Sequence, residues 1–166
     1  MNSYSNLQTF WLVALRVLAG WHFLYEGIVK VLNPKWTSLG YLMDSQGWFS
    51  SLFHSMANSA GTLGAVNFLN EWGLILIGLS LILGCLTRVG CMGGMLLLFF
   101  YYLSHPPFIG SDDLFMMPRE GSYLWIDRNL IEMAALAVLY VFPTSHVFGL
   151  DGYLMRFLKY KPSKSL

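Results

Sequence analysis

The sequence predicts an all-α integral membrane protein, a four-helix bundle with short surface helices in its first long loop and at its C-terminus. Three observations predict it. Hydrophobic residues make up 55% of the chain and charged residues only 11%, whereas a soluble domain carries about 25% charged residues. Four apolar stretches approach the length that crosses a bilayer, at about residues 9–32, 66–83, 89–103 and 123–142. Helix-ending signals separate them: Asn33-Pro34, the glycine-marked turn from Gly84 to Gly90, Pro106-Pro107 and Pro143. The 166 residues read as a single domain, 1–166, with little room for a separate soluble module.

The first span ends at Asn33-Pro34, because a residue before proline is biased away from the helical region. Trp11 near one end and Trp36 beyond the other suit interfacial anchoring. Residues 35–67 form a long connection that is aromatic rather than hydrophilic, with Trp36, Tyr41, Trp48, Phe49, Phe53 and His54. Thr37 or Ser38 is placed to cap a short helix through Met43, and a second is expected over 48–56. These helices either lie on the membrane surface or lid the bundle. The second span carries Glu71 in its first turns. In the third, Gly90 and Gly94 form the GxxxG pattern that lets another helix approach closely. The loop over 108–122 is acidic, with Asp112-Asp113 read as a solvated pair. The fourth span opens on Asp127, Arg128, Asn129 and Glu132 and is apolar afterwards. The remainder holds Arg156, Lys159, Lys161 and Lys164, and residues 150–158 suit an amphipathic helix lying along the membrane with the lysines in water.

Residues 1–10 hold no Lys or Arg, so no secretory signal is expected. Four spans put both termini on one side, together with Arg88 and the basic tail. The positive-inside bias makes that side the cytoplasm of a multi-pass inner-membrane protein, with lipid as its surroundings. The formal charge of +1 is silent on nucleic acid, but the sequence shows no basic stripe of the kind such binding needs, so no nucleic-acid partner is expected. Cys85 and Cys91 define neither a disulfide framework nor a CxxC motif, and read as small buried residues.

This orientation brings ionisable groups from three spans to one depth. His22, Glu26 and Lys30 are four apart and share a helix face, as do Arg128 and Glu132. Glu71 and Asp127 lie in the same outer half, and Tyr101, Tyr102 and His105 end the third span there. A charge in hydrocarbon costs a few kcal/mol or more unless paired or facing a cavity, so these groups are functional candidates. The bland alternative is an ion-pair network that fixes helix register. Glu26 with Lys30 and Arg128 with Glu132 can pair within their own helices or across them. Arg16 stands apart in the opposite half. It either snorkels and caps carbonyls or holds an anion or carbonyl of a ligand. Tyr101-Tyr102 alone would be an interfacial belt. His54 and His105 read as surface histidines, and no metal site is expected.

The sequence resembles the DoxX family, which includes DoxD-type small subunits of thiosulfate:quinone oxidoreductase. The resemblance is carried by Leu15-Arg16 with the apolar segment to Phe23, then Glu26-Gly27-Ile28-Val29-Lys30 before Asn33-Pro34. It continues through Gly84-Cys85-Leu86-Thr87-Arg88 and Asn129-Leu130-Ile131-Glu132. It implies a four-helix inner-membrane bundle serving electron transfer to quinone, or thiol and oxidative-stress chemistry, alongside a membrane or extracytoplasmic redox partner. On that reading Glu26, His22 and Glu132 are the candidate catalytic groups, supplying or taking the proton that accompanies quinone reduction. Arg128 or Lys30 would hydrogen-bond a quinone carbonyl, with Trp21, Tyr25 and Tyr101 packing on the ring. Arg16, Glu71 and Asp127 complete the candidate ligand contacts. Two other classes stay open: a non-catalytic membrane anchor for an extracytoplasmic protein, and a small transporter enclosed by a homo-oligomer.

Overall fold

The computed structural model describes residues 4–107, 122–123 and 125–152. Helix α1 (Asn6–Val31) starts at a capping box in which Ser5 and Gln8 satisfy each other's backbone N–H groups. Two short helices follow, α2 (Leu39–Met43) and α3 (Ser50–Asn58). Helix α4 (Ala60–Phe68) runs through a π-helical turn (Leu69–Gly73) into α5 (Leu74–Leu83). Helix α6 (Thr87–Ser104) leads towards a two-stranded hairpin of β1 (Ser122–Tyr123) and β2 (Ile126–Asp127), and α7 (Arg128–Val141) closes the fold.

The four long helical segments pack in a ring: α1 on α5, α5 on α6, α6 on α7, and α7 back on α1. Inside lies a core of Ala19, Phe23, Leu74, Leu81, Cys91, Leu98, Leu136 and Leu139. Small residues set the closeness of the packing. A Cβ on Gly78 would sit 2.5 Å from the Leu24 backbone nitrogen, so α1 and α5 touch backbone to backbone. The Gly90 and Gly94 pattern serves two neighbours: a Cβ would meet Ser80 Oγ at 2.5 Å from Gly90 and Leu136 Cδ1 at 2.7 Å from Gly94.

The chain is mostly helical, and α1 and the continuous helix Ala60–Leu83 are each long and apolar enough to cross a membrane. Leu18, Trp21, Leu76, Leu96, Ile131 and Val141 are all exposed on the outer faces. Such apolar exterior is unusual for a protein surrounded by water.

Two boundaries differ from the sequence expectation. The second long helix begins at Ala60 rather than 66, because residues 60–65 carry only small or apolar side chains and Thr62, whose hydroxyl bonds back to Met56 O and Ser59 O. The last helix begins at Arg128 rather than 123: Asp127 takes an extended backbone and its carboxylate accepts from Leu130 N at 2.8 Å, capping the helix there. The residues before it pair as a hairpin, so the fold is not wholly helical. Helical backbone begins again at Leu150. The rest of the expected amphipathic segment, with Arg156, Lys159, Lys161 and Lys164, lies outside the described residues, as does Asp112-Asp113.

The aromatic connection folds down as a lid. Leu42, Phe53 and Ala57 form a second small core with Leu63, Val66 and Leu103 of α4 and α6. Polar contacts fasten it. Ser38 donates to Asn67 Oδ1 through N (2.8 Å) and Oγ (2.6 Å), and Ser45 Oγ and Gln46 N both donate to Ser104 O. Its histidine neighbour is not a surface residue: His105 is half-buried, its ring tilted against Tyr41 with centroids 4.2 Å apart, with Nε2 3.5 Å from Asp44. His54 is half-buried too.

Candidate functional site

A polar cleft of about 60 Å³ opens between α1, α5, α6 and α7. Its polar lining is His22, Glu26, Lys30, Tyr101, Arg128, Asn129 and Glu132, backed by Phe23, Leu74 and Leu98. The four-residue spacing of His22, Glu26 and Lys30 presents all three from one face of α1, as helix geometry requires. Glu132 lies one turn beyond Arg128 on α7, and Tyr101 comes from the last turns of α6.

Pairing divides the charges unequally. Lys30 Nζ donates to Glu26 Oε2 at 2.7 Å within α1, and also reaches Glu26 O at 3.2 Å and the face of Trp36. Glu132 does not pair with Arg128 along its own helix. It crosses to α1, where Oε1 lies 2.7 Å from His22 Nδ1. The His22–Glu132 bond therefore ties two helices together at the cleft. Arg128 lines the cleft, is exposed, and has no ion pair among the described residues.

Tyr101 is anchored rather than belted at an interface. Its ring packs against the main core, and its hydroxyl donates to Asn70 Oδ1. Asn70 belongs to the π-helical turn and is buried, and its amide nitrogen donates to Val66 O at 2.9 Å. π-turns recur at functional sites because they re-aim a side chain that a regular helix would point elsewhere. Asn70 had no signal in the sequence beyond being a polar residue beside Glu71 in an apolar span.

Other expected site residues lie elsewhere. Glu71 is in the same turn as Asn70 but does not line the cleft. Asp127 is spent on capping α7, with Asn129 Nδ2 donating to its second oxygen at 2.8 Å. Trp21 and Tyr25 are exposed on the outside of α1 and away from the cleft lining.

Arg16 is at the opposite end of the ring and does not snorkel. It is 3% exposed. Nη1 donates to the Thr144 hydroxyl at 3.2 Å and Nη2 to Phe148 O at 2.6 Å, both beyond the end of α7. It packs on Gly84, whose φ of +65° places it in the left-handed region, followed by Leu86 at +52°. Asp151 holds this turn, accepting from Leu86 N at 2.7 Å and from the Thr87 backbone and hydroxyl, while its own N donates to Gly84 O. Partial burial opposes ionisation of Asp151, but hydrogen bonds from Ser145, Leu86 and Thr87 together hold its carboxyl below the ordinary value. Thr144 and Asp151 lie outside every apolar span, so hydropathy gave no reason to join them to Arg16.

An apolar exterior, with two helices long and apolar enough to cross a membrane, suggests a membrane protein. The chain belongs to the DoxX family, whose description matches residues 11–106, a family of membrane-associated proteins that are often oxidoreductase-related subunits. Comparison with curated proteins and with solved structures gave no match. Among the described residues no group of three His, Cys, Asp or Glu side chains is placed to hold a metal ion.

Proposed function

We propose that this protein is a multi-pass four-helix bundle of the inner membrane, a subunit of an oxidoreductase system, whose cleft takes the polar end of a quinone or a similar small molecule. The observation that carries the reading is the division of charge in the cleft: a His22–Glu132 pair joining two helices, beside an Arg128 that has no ion pair among the described residues. The donor chemistry fits a carbonyl oxygen, which a guanidinium can hold. The space admits only part of a ligand. At about 30 Å³ per water the cleft has room for roughly two waters, so a quinone would engage by its oxygen end and not by its whole ring. The quinone would supply the two-electron acceptor for electrons delivered by a partner protein.

The chain's own residues then have separable tasks. Arg128 orients the ligand oxygen and favours negative charge on it. His22 holds a hydrogen on Nδ1 against the Glu132 carboxylate, and this pair can keep or release a proton at the cleft. Lys30 neutralises Glu26, so the cleft carries no large uncompensated negative charge to repel an electron-rich ligand. Phe23, Leu74 and Leu98 keep bulk water from the inner wall. Lipid covers the apolar exterior, and both termini face the cytoplasm, where Arg88 and the basic tail lie.

The test is quinone binding to the purified protein in lipid nanodiscs, with partner-dependent quinone reduction in membranes. Arg128→Ala is expected to weaken binding about tenfold, the worth of one charge-assisted hydrogen bond. Glu132→Gln is expected to slow reduction more than it weakens binding. Wild-type affinity and rate in both variants would remove the reading. A membrane anchor is the second reading, favoured by the lid, where Trp48 is 81% exposed beside exposed Phe49 and Leu52. It predicts co-purification with an extracytoplasmic protein that persists when the cleft charges are neutralised.

A further inference from the structure

The direction of the hydrogen bonds at Tyr101 and His22 limits which form of a ligand the cleft can hold. Val66 O is a carbonyl and can only accept, so the group facing it at 2.9 Å is the Asn70 amide N–H. That fixes Asn70 with its carbonyl oxygen towards Tyr101, and the Tyr101 hydroxyl must donate to it. Its single hydrogen is therefore used, and Tyr101 offers the cleft it lines only acceptor capacity. The same logic holds at His22. Against the Glu132 carboxylate Nδ1 carries the hydrogen, and while the ring is neutral Nε2 is an acceptor. Among the described residues the lining donors are Arg128, Lys30 and Asn129; Lys30 spends two of its three hydrogens on Glu26, and Asn129 one of its two on Asp127.

Resting on the quinone reading above, we propose that the cleft holds the hydroxyl-bearing quinol form of its ligand in preference to the carbonyl-bearing quinone. Arg128 can donate to the oxygen of either form. Only the quinol brings a hydrogen for Tyr101 Oη or His22 Nε2 to accept. A quinone carbonyl set against those two acceptors meets lone pair with lone pair, so it keeps only the bond from Arg128 and leaves the acceptor capacity of both groups desolvated and unused. A site built to hydrogen-bond a hydroxyl rejects the analogue that lacks it far more strongly than an apolar pocket rejects a change of shape. The π-helical turn has a role in this account: it turns Asn70 to Tyr101, and so sets the polarity of the cleft wall.

The experiment is calorimetric titration of the nanodisc-embedded protein with a short-chain benzoquinol under anaerobic conditions, and with the matching benzoquinone. The native protein is expected to bind the quinol about tenfold more tightly, the equivalent of one well-made hydrogen bond. Tyr101→Phe keeps the ring and its packing and removes the acceptor, so quinol affinity falls while quinone affinity holds. Asn70→Leu releases the Tyr101 hydrogen to donate into the cleft, so quinone affinity rises and the preference narrows. Tyr101→Phe decides alone if the Asn70 variant does not fold. Equal affinities in the native protein, tighter binding of the quinone, or an unchanged preference in Tyr101→Phe would each overturn the inference and leave the quinone reading standing. Binding of neither form removes that reading and the inference with it.

Discussion

The two ends of the helix ring both bury charge, and they satisfy it in opposite ways. At one end Arg16 is shut away and its guanidinium is committed to Thr144 and to the Phe148 carbonyl, while Asp151 accepts from the neighbouring turn. At the other end the pairs are half-exposed, a cavity remains between them, and Arg128 has no ion pair among the described residues. A charge shut away from solvent among the chain's own groups holds the fold, and Arg16 is so enclosed that its Nε is left without a hydrogen bond among the described residues. A charge that faces an open cleft can hold something else. Net charge or hydropathy does not separate the two ends. What separates them is whether the charged group is enclosed or opens on a cavity.

That contrast predicts the largest effect at Arg16. Arg16→Met leaves a buried hydroxyl and a carbonyl without partners and removes two hydrogen bonds from a charged donor. About 3 kcal/mol of destabilisation is expected, read by thermal unfolding in detergent, with quinone affinity of the folded fraction unchanged. A loss of binding at native stability would put ligand chemistry at Arg16 and break the comparison. Gly84→Ala acts on the same clamp. Its Cβ would lie 2.7 Å from Gly149 Cα, on a residue already in the left-handed region. Strain of that kind costs about 2 kcal/mol, so the same assay should show a smaller loss.

The cleft was the more legible of the two ends. His22, Glu26 and Lys30 announce a shared face by spacing alone, and Glu132 stands out as an acid in an apolar helix. The clamp was not, because its partners come from turns and from the segment after α7. Contacts of that kind are set by tertiary closure and leave no periodicity to read. Asp127 shows the converse error. Its depth groups it with the charge cluster, yet an Asp followed by a helix-forming run is an N-cap signal, and the structure uses it so. The π-helical turn is invisible in sequence, since it depends on one extra residue accommodated by packing against α1. With it went Asn70, and therefore the reason Tyr101 is held.

Asp151 gives the clamp a pH dependence. Its folded carboxyl releases its proton at a lower pH than the ordinary 3.8. Between the folded and ordinary values the unfolded chain binds more protons, so stability rises with pH there. The contribution is complete above the ordinary carboxylate range and is lost as pH falls through the lower folded value. Asp151→Asn should remove that acid-side slope while leaving the unfolding temperature at neutral pH modestly reduced. An unchanged slope in the variant would mean that Asp151 does not hold the Gly84–Leu86 turn in its charged form.

The smallest effect is expected at Glu26, and it is the most sensitive test of the contrast. Glu26 is paired with Lys30 one helical turn away, and its side chain keeps 46% of its exposure. Pairs of this geometry contribute about 0.5 kcal/mol or less in water, so Glu26→Gln should barely move the unfolding temperature. If the cleft were only a register-fixing network, that would be the end of the matter. In the cleft as a binding site, however, Glu26 also neutralises Lys30, and its removal leaves a second cation beside Arg128. An anionic probe such as acetate should then compete with quinol in the Glu26→Gln variant at concentrations that leave the native protein unaffected. Unaltered stability together with new anion sensitivity separates a chemical cleft from a structural one. A fall of several degrees with no change in competition would assign Glu26 to the fold, as Arg16 is assigned.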